Sequence, residues 1–201
     1  FGDSPYQPSS GCAGNIYFID LDKLVDEGLL EKEEILGYNW GTDESEIDYA
    51  ALHQNRCKIL QKAFERFDTN AQDFQDFVKK QSEWLEQYAL FMTLKTDNLY
   101  KNWSEWPSEY RNTQTVALEK YQKKNYNTIT FWKFCQYKFF EQWEDLKNYA
   151  NSKGIYIIGD ISFYVGYDSV DVWAERQLFM MSANDTPEYV AAAGPDKYSE
   201  S

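Results

Sequence analysis

Gly154-Ile155-Tyr156-Ile157-Ile158-Gly159-Asp160 decides the fold class of this 201-residue chain. Four consecutive apolar residues bounded by glycines fit a short strand covered on both faces, the kind found in parallel sheets. Upstream, over about 127–152, Phe131, Phe134, Cys135, Phe139, Trp143, Leu146 and Ala150 recur at helical spacing, and Gly154 supplies the stop. A helix, a glycine and a buried strand make half of a repeating β/α unit. One strand alone would leave its faces bare. The pattern therefore implies fold class α/β, a partial (β/α)8 TIM barrel segment belonging to something larger. At the C-terminal end of a barrel strand, polar side chains face the active site. Asp160 is the first candidate for ligand chemistry on that ground, its alternative role being to cap the turn that follows.

Working outward, the chain divides into three parts. Residues 1–47 are loop-rich, with a short strand expected at 16–20 and one helical turn at 22–28 that Gly28 stops. Residues 48–152 form a large all-helical insertion. Its first helix carries Ala51, Leu52, Cys57, Ile59, Leu60, Ala63, Phe64 and Phe67. A second, capped by Asn70 or Thr69, carries Phe74, Phe77, Val78, Trp84, Leu85, Tyr88, Phe91 and Met92. Trp103-Ser104-Glu105-Trp106-Pro107 interrupts it, with Ser104 placed to cap a short segment beyond. Residues 153–201 hold the barrel strand and an irregular stretch with Thr186-Pro187 and Gly194-Pro195-Asp196 as turn signals.

Composition narrows the function classes. Lys+Arg 20 against Asp+Glu 33 gives a net charge of −13, the wrong sign for a phosphate-binding surface. Nucleic acid and anionic membranes are not expected partners, and no apolar run reaches the roughly 20 residues of a membrane span. Cys12, Cys57 and Cys135 are odd in number and far apart, which suits a reducing cytoplasm better than a disulfide framework. The lone His53 reads as a solvated helical residue, not as a member of a triad or metal site. The aromatic share is 18%. Aromatic faces serve a core and sugar stacking equally, and the helical periodicity assigns most of these to the core.

The opening stretch Phe1-Gly2-Asp3-Ser4-Pro5-Tyr6-Gln7-Pro8-Ser9-Ser10 is rich in turn formers around a single aromatic, and reads as a shaped binding loop. Gly2-Asp3-Ser4-Pro5-Tyr6-Gln7, Ser10, Ala13-Gly14-Asn15 and Tyr17-Phe18-Ile19-Asp20-Leu21 together resemble the opening motif of the amylomaltases. These are the disproportionating 4-α-glucanotransferases of glycoside hydrolase family 77. Ile157-Ile158-Gly159-Asp160-Ile161, Tyr164-Val165, Asp168-Ser169, Asp171 and Val172-Trp173-Ala174 resemble that family's next barrel strand and loop. Glu86 to Phe91 and Phe139 to Trp143 are similar to its helical insertion. Pro195-Asp196, Tyr198 and Ser199-Glu200 resemble the start of the loop over its substrate groove.

The resemblance implies an enzyme that cuts an α-1,4-glucan and passes the fragment to the 4-OH of another malto-oligosaccharide, with no cofactor and no metal. Retaining transfer of this kind uses a nucleophilic carboxylate and an acid/base carboxyl about 5 Å apart. In the family those groups lie on later barrel strands, so no catalytic residue is assigned here, and the chain is expected to be a fragment inactive alone. What carries over is a donor-side substrate-binding wall. Tyr6 matches a tyrosine that stacks on sugar, Asp160 a strand-end carboxylate that bonds glucose hydroxyls, Ser4 a groove residue, and Tyr88 a helical tyrosine with an outer glucan contact. The sequence departs from the family pattern at Ile16, Ser162, Cys12 and Gly194, three of them replacing prolines, which loosens the loops concerned. A non-catalytic glucan-binding or scaffold module and a helical interaction domain are the rival readings.

Overall fold

The computed structural model describes residues 7–43, 45–160 and 164–190. Asn15 accepts the Tyr17 amide and starts a 3-10 turn at Ile16–Phe18, where a strand was expected. Asp20 then accepts the Asp22 amide and begins α1 (Leu21–Asp26). Gly28 follows at φ 74°, the left-handed geometry in which a glycine carries no steric cost. In α2 (Lys32–Leu36) the first turn is closed by reciprocal bonds between Glu31 and Glu34. The main helices are α3 (Tyr49–Arg66), α4 (Gln72–Lys80) and α5 (Ser82–Asp97). After a 3-10 turn at Trp103–Glu105 come the short α6 (Ser108–Arg111), α7 (Thr115–Lys124), the long α8 (Tyr126–Ser152) and α9 (Val170–Ala174).

Helices α5 and α8 pair antiparallel at the centre: Trp84 lies against Phe140, and Tyr88 against Trp132. Phe74, Phe91, Phe134, Leu85 and Leu94 are fully buried around this pair, with Ile59 and Leu60 of α3 closing one side. Each such burial contributes about 1.5–3 kcal/mol by removing apolar surface from water. A second aromatic knot joins Phe91, Trp106 and Trp173, with ring centres 5.2 to 5.9 Å apart, and brings α9 onto α5. Most aromatics are thus core, as their periodicity indicated. His53 is exposed and edge-on to Tyr100.

Four local expectations are corrected. The strand at 16–20 is a helical turn because both its ends are fastened to α8: the Gly14 peptide to Gln136 and the Asp20 peptide to Gln142. Those anchors are six residues apart on the helix, about 9 Å along its axis. Six extended residues would overshoot at about 20 Å. The expected single helix from 70 is two, α4 and α5, broken at Gln81. Ala71 occupies the cap position, and Asp68 instead takes the Asn70 amide. Asn102, not Ser104, caps the turn before Pro107.

The fourth is the strand expected at 155–159. Gly154 ends α8 at φ 74° as expected, but residues 155–160 are exposed and make no ladder. Among the described residues there is no strand, only an isolated bridge between Met181 and Pro187. Strand geometry needs a ladder partner, and among the described residues no strand pairs with this run, whose first amide turns back to Ala150 O. The described fold is a helical unit. No helix in it is long and apolar enough to cross a membrane.

Candidate functional site

Two sequence blocks some 150 residues apart meet on one face. The Val170 amide donates to Ser9 O at 2.9 Å, and the Gly11 amide to Asp171 Oδ2 at 2.9 Å. Ser10 between them is buried, and its hydroxyl accepts from the Cys12 amide. Gly166 lies over the backbone of Gln7 and Pro8. Beside this junction is a groove of about 320 Å³ lined by Trp84, Val165, Val170, Asp171, Glu175 and Phe179, among others.

Each block is held from behind by the helices. The loop 164–170 is fixed by Asp168, which pairs with the buried Lys95 of α5 and accepts the Trp103 amide at 3.2 Å. Lys95 also donates to Lys101 O, and Trp103 Nε1 donates to Tyr167 O at 2.7 Å. A charge taken out of water is tolerated when paired and hydrogen-bonded, and Lys95 has a carboxylate and a carbonyl for two of its three donors. Arg176 covers the Trp103 ring at 4.6 Å and binds Asp185, whose backbone carbonyl accepts from Tyr167.

The opening segment is fixed by α8. Gln136 is fully buried; its Oε1 accepts the Gly14 amide at 2.8 Å, and its Nε2 donates to Gly14 O at 3.0 Å and to Tyr88 Oη at 3.2 Å. Gln142 treats Asp20 in the same way, at 2.7 and 3.1 Å. Gly14 must be glycine for space, since a Cβ there would fall 1.9 Å from the Phe139 ring.

Of the residues the sequence put forward, Tyr6 and Ser4 lie outside the described residues. Asp160 is exposed at the end of the 155–160 run. Tyr88 is only 4% exposed, enclosed by Trp84 and Trp132, with burial pushing its hydroxyl pKa far up. It meets the opening block through Gln136 from the core side and offers no face to a ligand as it stands. Sequence reasoning missed Lys95 and Gln136. Their signal was weak: each is one polar residue among several in its helix, beside Thr93 and Thr96 or Lys133 and Lys138, and only the fold shows which are buried and partnered. Among the described residues, no group of three or more His, Cys, Asp or Glu side chains could hold a metal ion.

The described residues thus form a helical unit that clamps two loop blocks into one wall. Residues 2–201 match the 4-α-glucanotransferase family, and the chain belongs to that family. It is 42% identical over 204 residues to the 4-α-glucanotransferase of Streptococcus pneumoniae, covering 99% of this chain and 40% of that protein. Against the Clostridium butyricum 4-α-glucanotransferase it is 39% identical, covering 100% and 42%. The fold superimposes on an amylomaltase from Streptococcus agalactiae solved in complex with acarbose, with a TM-score of 0.91 and 36% identity over 99% of this chain and 41% of that one. The chain thus spans about two fifths of the length of the relatives it matches.

Proposed function

We propose that this chain forms the donor-side wall of a 4-α-glucanotransferase, which moves α-1,4-glucan segments between malto-oligosaccharides in the cytoplasm by a retaining double displacement. The observation that carries the reading is the junction itself. The 9–11 and 170–171 segments, both within motif blocks, are joined backbone to backbone and backbone to carboxylate in a chain whose fold matches an acarbose-bound amylomaltase.

In this reading Tyr6 supplies a stacking face for a sugar ring, while Ser4 and Asp160 accept or donate hydrogen bonds to its hydroxyls. Tyr88 contributes from behind, through Gln136. Residues 155–160 pack as a barrel strand against further β/α units, which accounts for an exposed Ile155-Tyr156-Ile157-Ile158 run. Residues 1–47 and 153–201 then belong to the barrel's loops and strand, and 48–152 to the insertion.

Double displacement needs two carboxyl groups about 5–5.5 Å apart across the scissile bond. Asp168 is occupied by Lys95 and Asp171 by the Gly11 amide. These carboxylates hold the wall together, and the reading gives them no catalytic step. The wall's part is to orient the donor glucan, so that binding energy fixes the reacting carbon in line with groups elsewhere.

Asp160→Ala in the full gene product tests this. A hydrogen bond to a charged group contributes about 1.5–3 kcal/mol, so kcat/KM for maltotriose disproportionation should fall by about one to two orders of magnitude. Unchanged turnover would remove Asp160 from the wall, and a wild-type protein without disproportionation would overturn the function.

A further inference from the structure

We propose that Gln136 is a positioning residue for the donor-side wall, acting through the Gly14 peptide; this rests on the function proposed above. A glutamine with no exposed surface in an apolar helix is costly unless its amide is satisfied. Here both the amide oxygen and the amide nitrogen are used on one residue, Gly14, and the nitrogen also meets the Tyr88 hydroxyl of α5. The side chain thus replaces a neighbouring strand, supplying one rung of a ladder to a segment that has none.

What that rung fixes is the segment running back from Gly14. Three residues away Gly11 donates to Asp171, and five away Ser9 accepts from Val170. Residues 9–14 are pinned to α9 at one end and to the α5–α8 core at the other. With Gln136 in place the segment has one register across that span. Without it, the Gly14 end is free to slide while the Asp171 end stays attached.

Gln142 is a built-in comparison. It makes the same two bonds from the same helix, but to Asp20, beyond the 3-10 turn and at the start of α1. Its anchor lies six residues further along the chain from the Ser9–Gly11 junction than Gly14 does.

The experiment compares Gln136→Met and Gln142→Met in the full gene product, each keeping side-chain length while deleting the amide. Both should lower the urea midpoint to a similar degree. Only Gln136→Met should raise KM for maltotriose, about tenfold or more, with kcat held within about threefold. Only Gln136→Met should speed amide hydrogen exchange in residues 7–15. An equal KM rise in both variants, or an unchanged KM despite faster exchange, overturns the positioning role.

Should the wild type fail to disproportionate maltotriose, the function proposed above falls, and exchange alone decides the anchor: no acceleration in 7–15 would sink it. If Gln136→Met does not fold, Gln136→Glu replaces it. Its carboxyl accepts the Gly14 amide at any pH but donates to Gly14 O only when protonated. Its KM relative to wild type should be near one at acid pH and climb as pH rises. A ratio near one after the carboxyl has ionised, or one raised and flat with pH, overturns the proposal.

Discussion

Replacing Gly14 by alanine should destabilise the protein, and removing the Phe139 ring should reverse the sign of that effect. The new Cβ would lie 1.9, 2.1 and 2.4 Å from Cδ1, Cε1 and Cγ of Phe139. Ordinary carbon contacts begin near 3.4 Å, so ring or backbone must yield by about 1.5 Å. The ring is hemmed by Phe140, edge-on at 5.2 Å, and overpacking of this kind costs about 1–3 kcal/mol. If the backbone yields, the two Gln136 bonds to Gly14 stretch, at about 1 kcal/mol each. The sum is about 3–5 kcal/mol, read as a shift in urea midpoint at constant slope. Gly14 does not sit in the left-handed region, so alanine meets no backbone strain there. In a Phe139→Ala background the clash is gone, and the loss of unfolded-state entropy should make the same change favourable by about 0.4–1 kcal/mol. The double-mutant cycle should therefore show about 3–6 kcal/mol of coupling. Additive costs would refute the close approach as the reason for glycine.

Lys95→Met leaves Asp168 without its cation in a part-buried site, and should cost about 3 kcal/mol by thermal or urea unfolding. Adding Asp168→Asn should recover part of that loss, because the unpaired charge goes too; no recovery would count against the ion pair as the clamp on loop 164–170. At the edge of the fold, hydrogen bonding to Arg66 holds the Glu34 carboxyl well below its usual 4.5, at about 2. A carboxyl lowered on folding stabilises above its unfolded pKa and loses that contribution as pH falls through the folded one. The stability difference between wild type and Glu34→Gln should therefore shrink between pH 4.5 and 2, and shrink further with added salt since the pair is exposed. A gap that widened on acidification would contradict the assignment.

The helical unit was legible because its signals are local. Leu60, Ala63 and Phe64 in α3, and Phe131, Phe134 and Cys135 in α8, repeat at the helical period whatever surrounds them. The stops at Gly28 and Gly154 are local too, both left-handed. The strands were not legible in the same sense. Ile16 to Asp20 has strand composition, yet its conformation is set by anchors 122 positions away, at Gln136 and Gln142. Ile155 to Gly159 has the composition of a parallel strand, and composition cannot supply the neighbours that a ladder requires.

The same distinction explains what became of the candidate site. Motif matching linked the opening block to the 157–174 block, and they do touch, through Ser9, Gly11, Val170 and Asp171. It could not show that Tyr88 faces inward. One tyrosine on an amphipathic helix gives the same pattern whether its ring caps a ligand or supports the loop that does. The arbiter is the partner of its hydroxyl, and that partner is Gln136. A polar side chain buried on the core side of a helix marks an anchor to a partner elsewhere in the chain. Lys95 and Gln136 are buried in the core of α5 and α8, at a cost that tertiary partners offset. Both partners prove to be the loops of the wall: Asp168 for the one, Gly14 for the other. The helical core is built outward to those two contacts, so a substitution deep between α5 and α8 should reach the loops that it clamps.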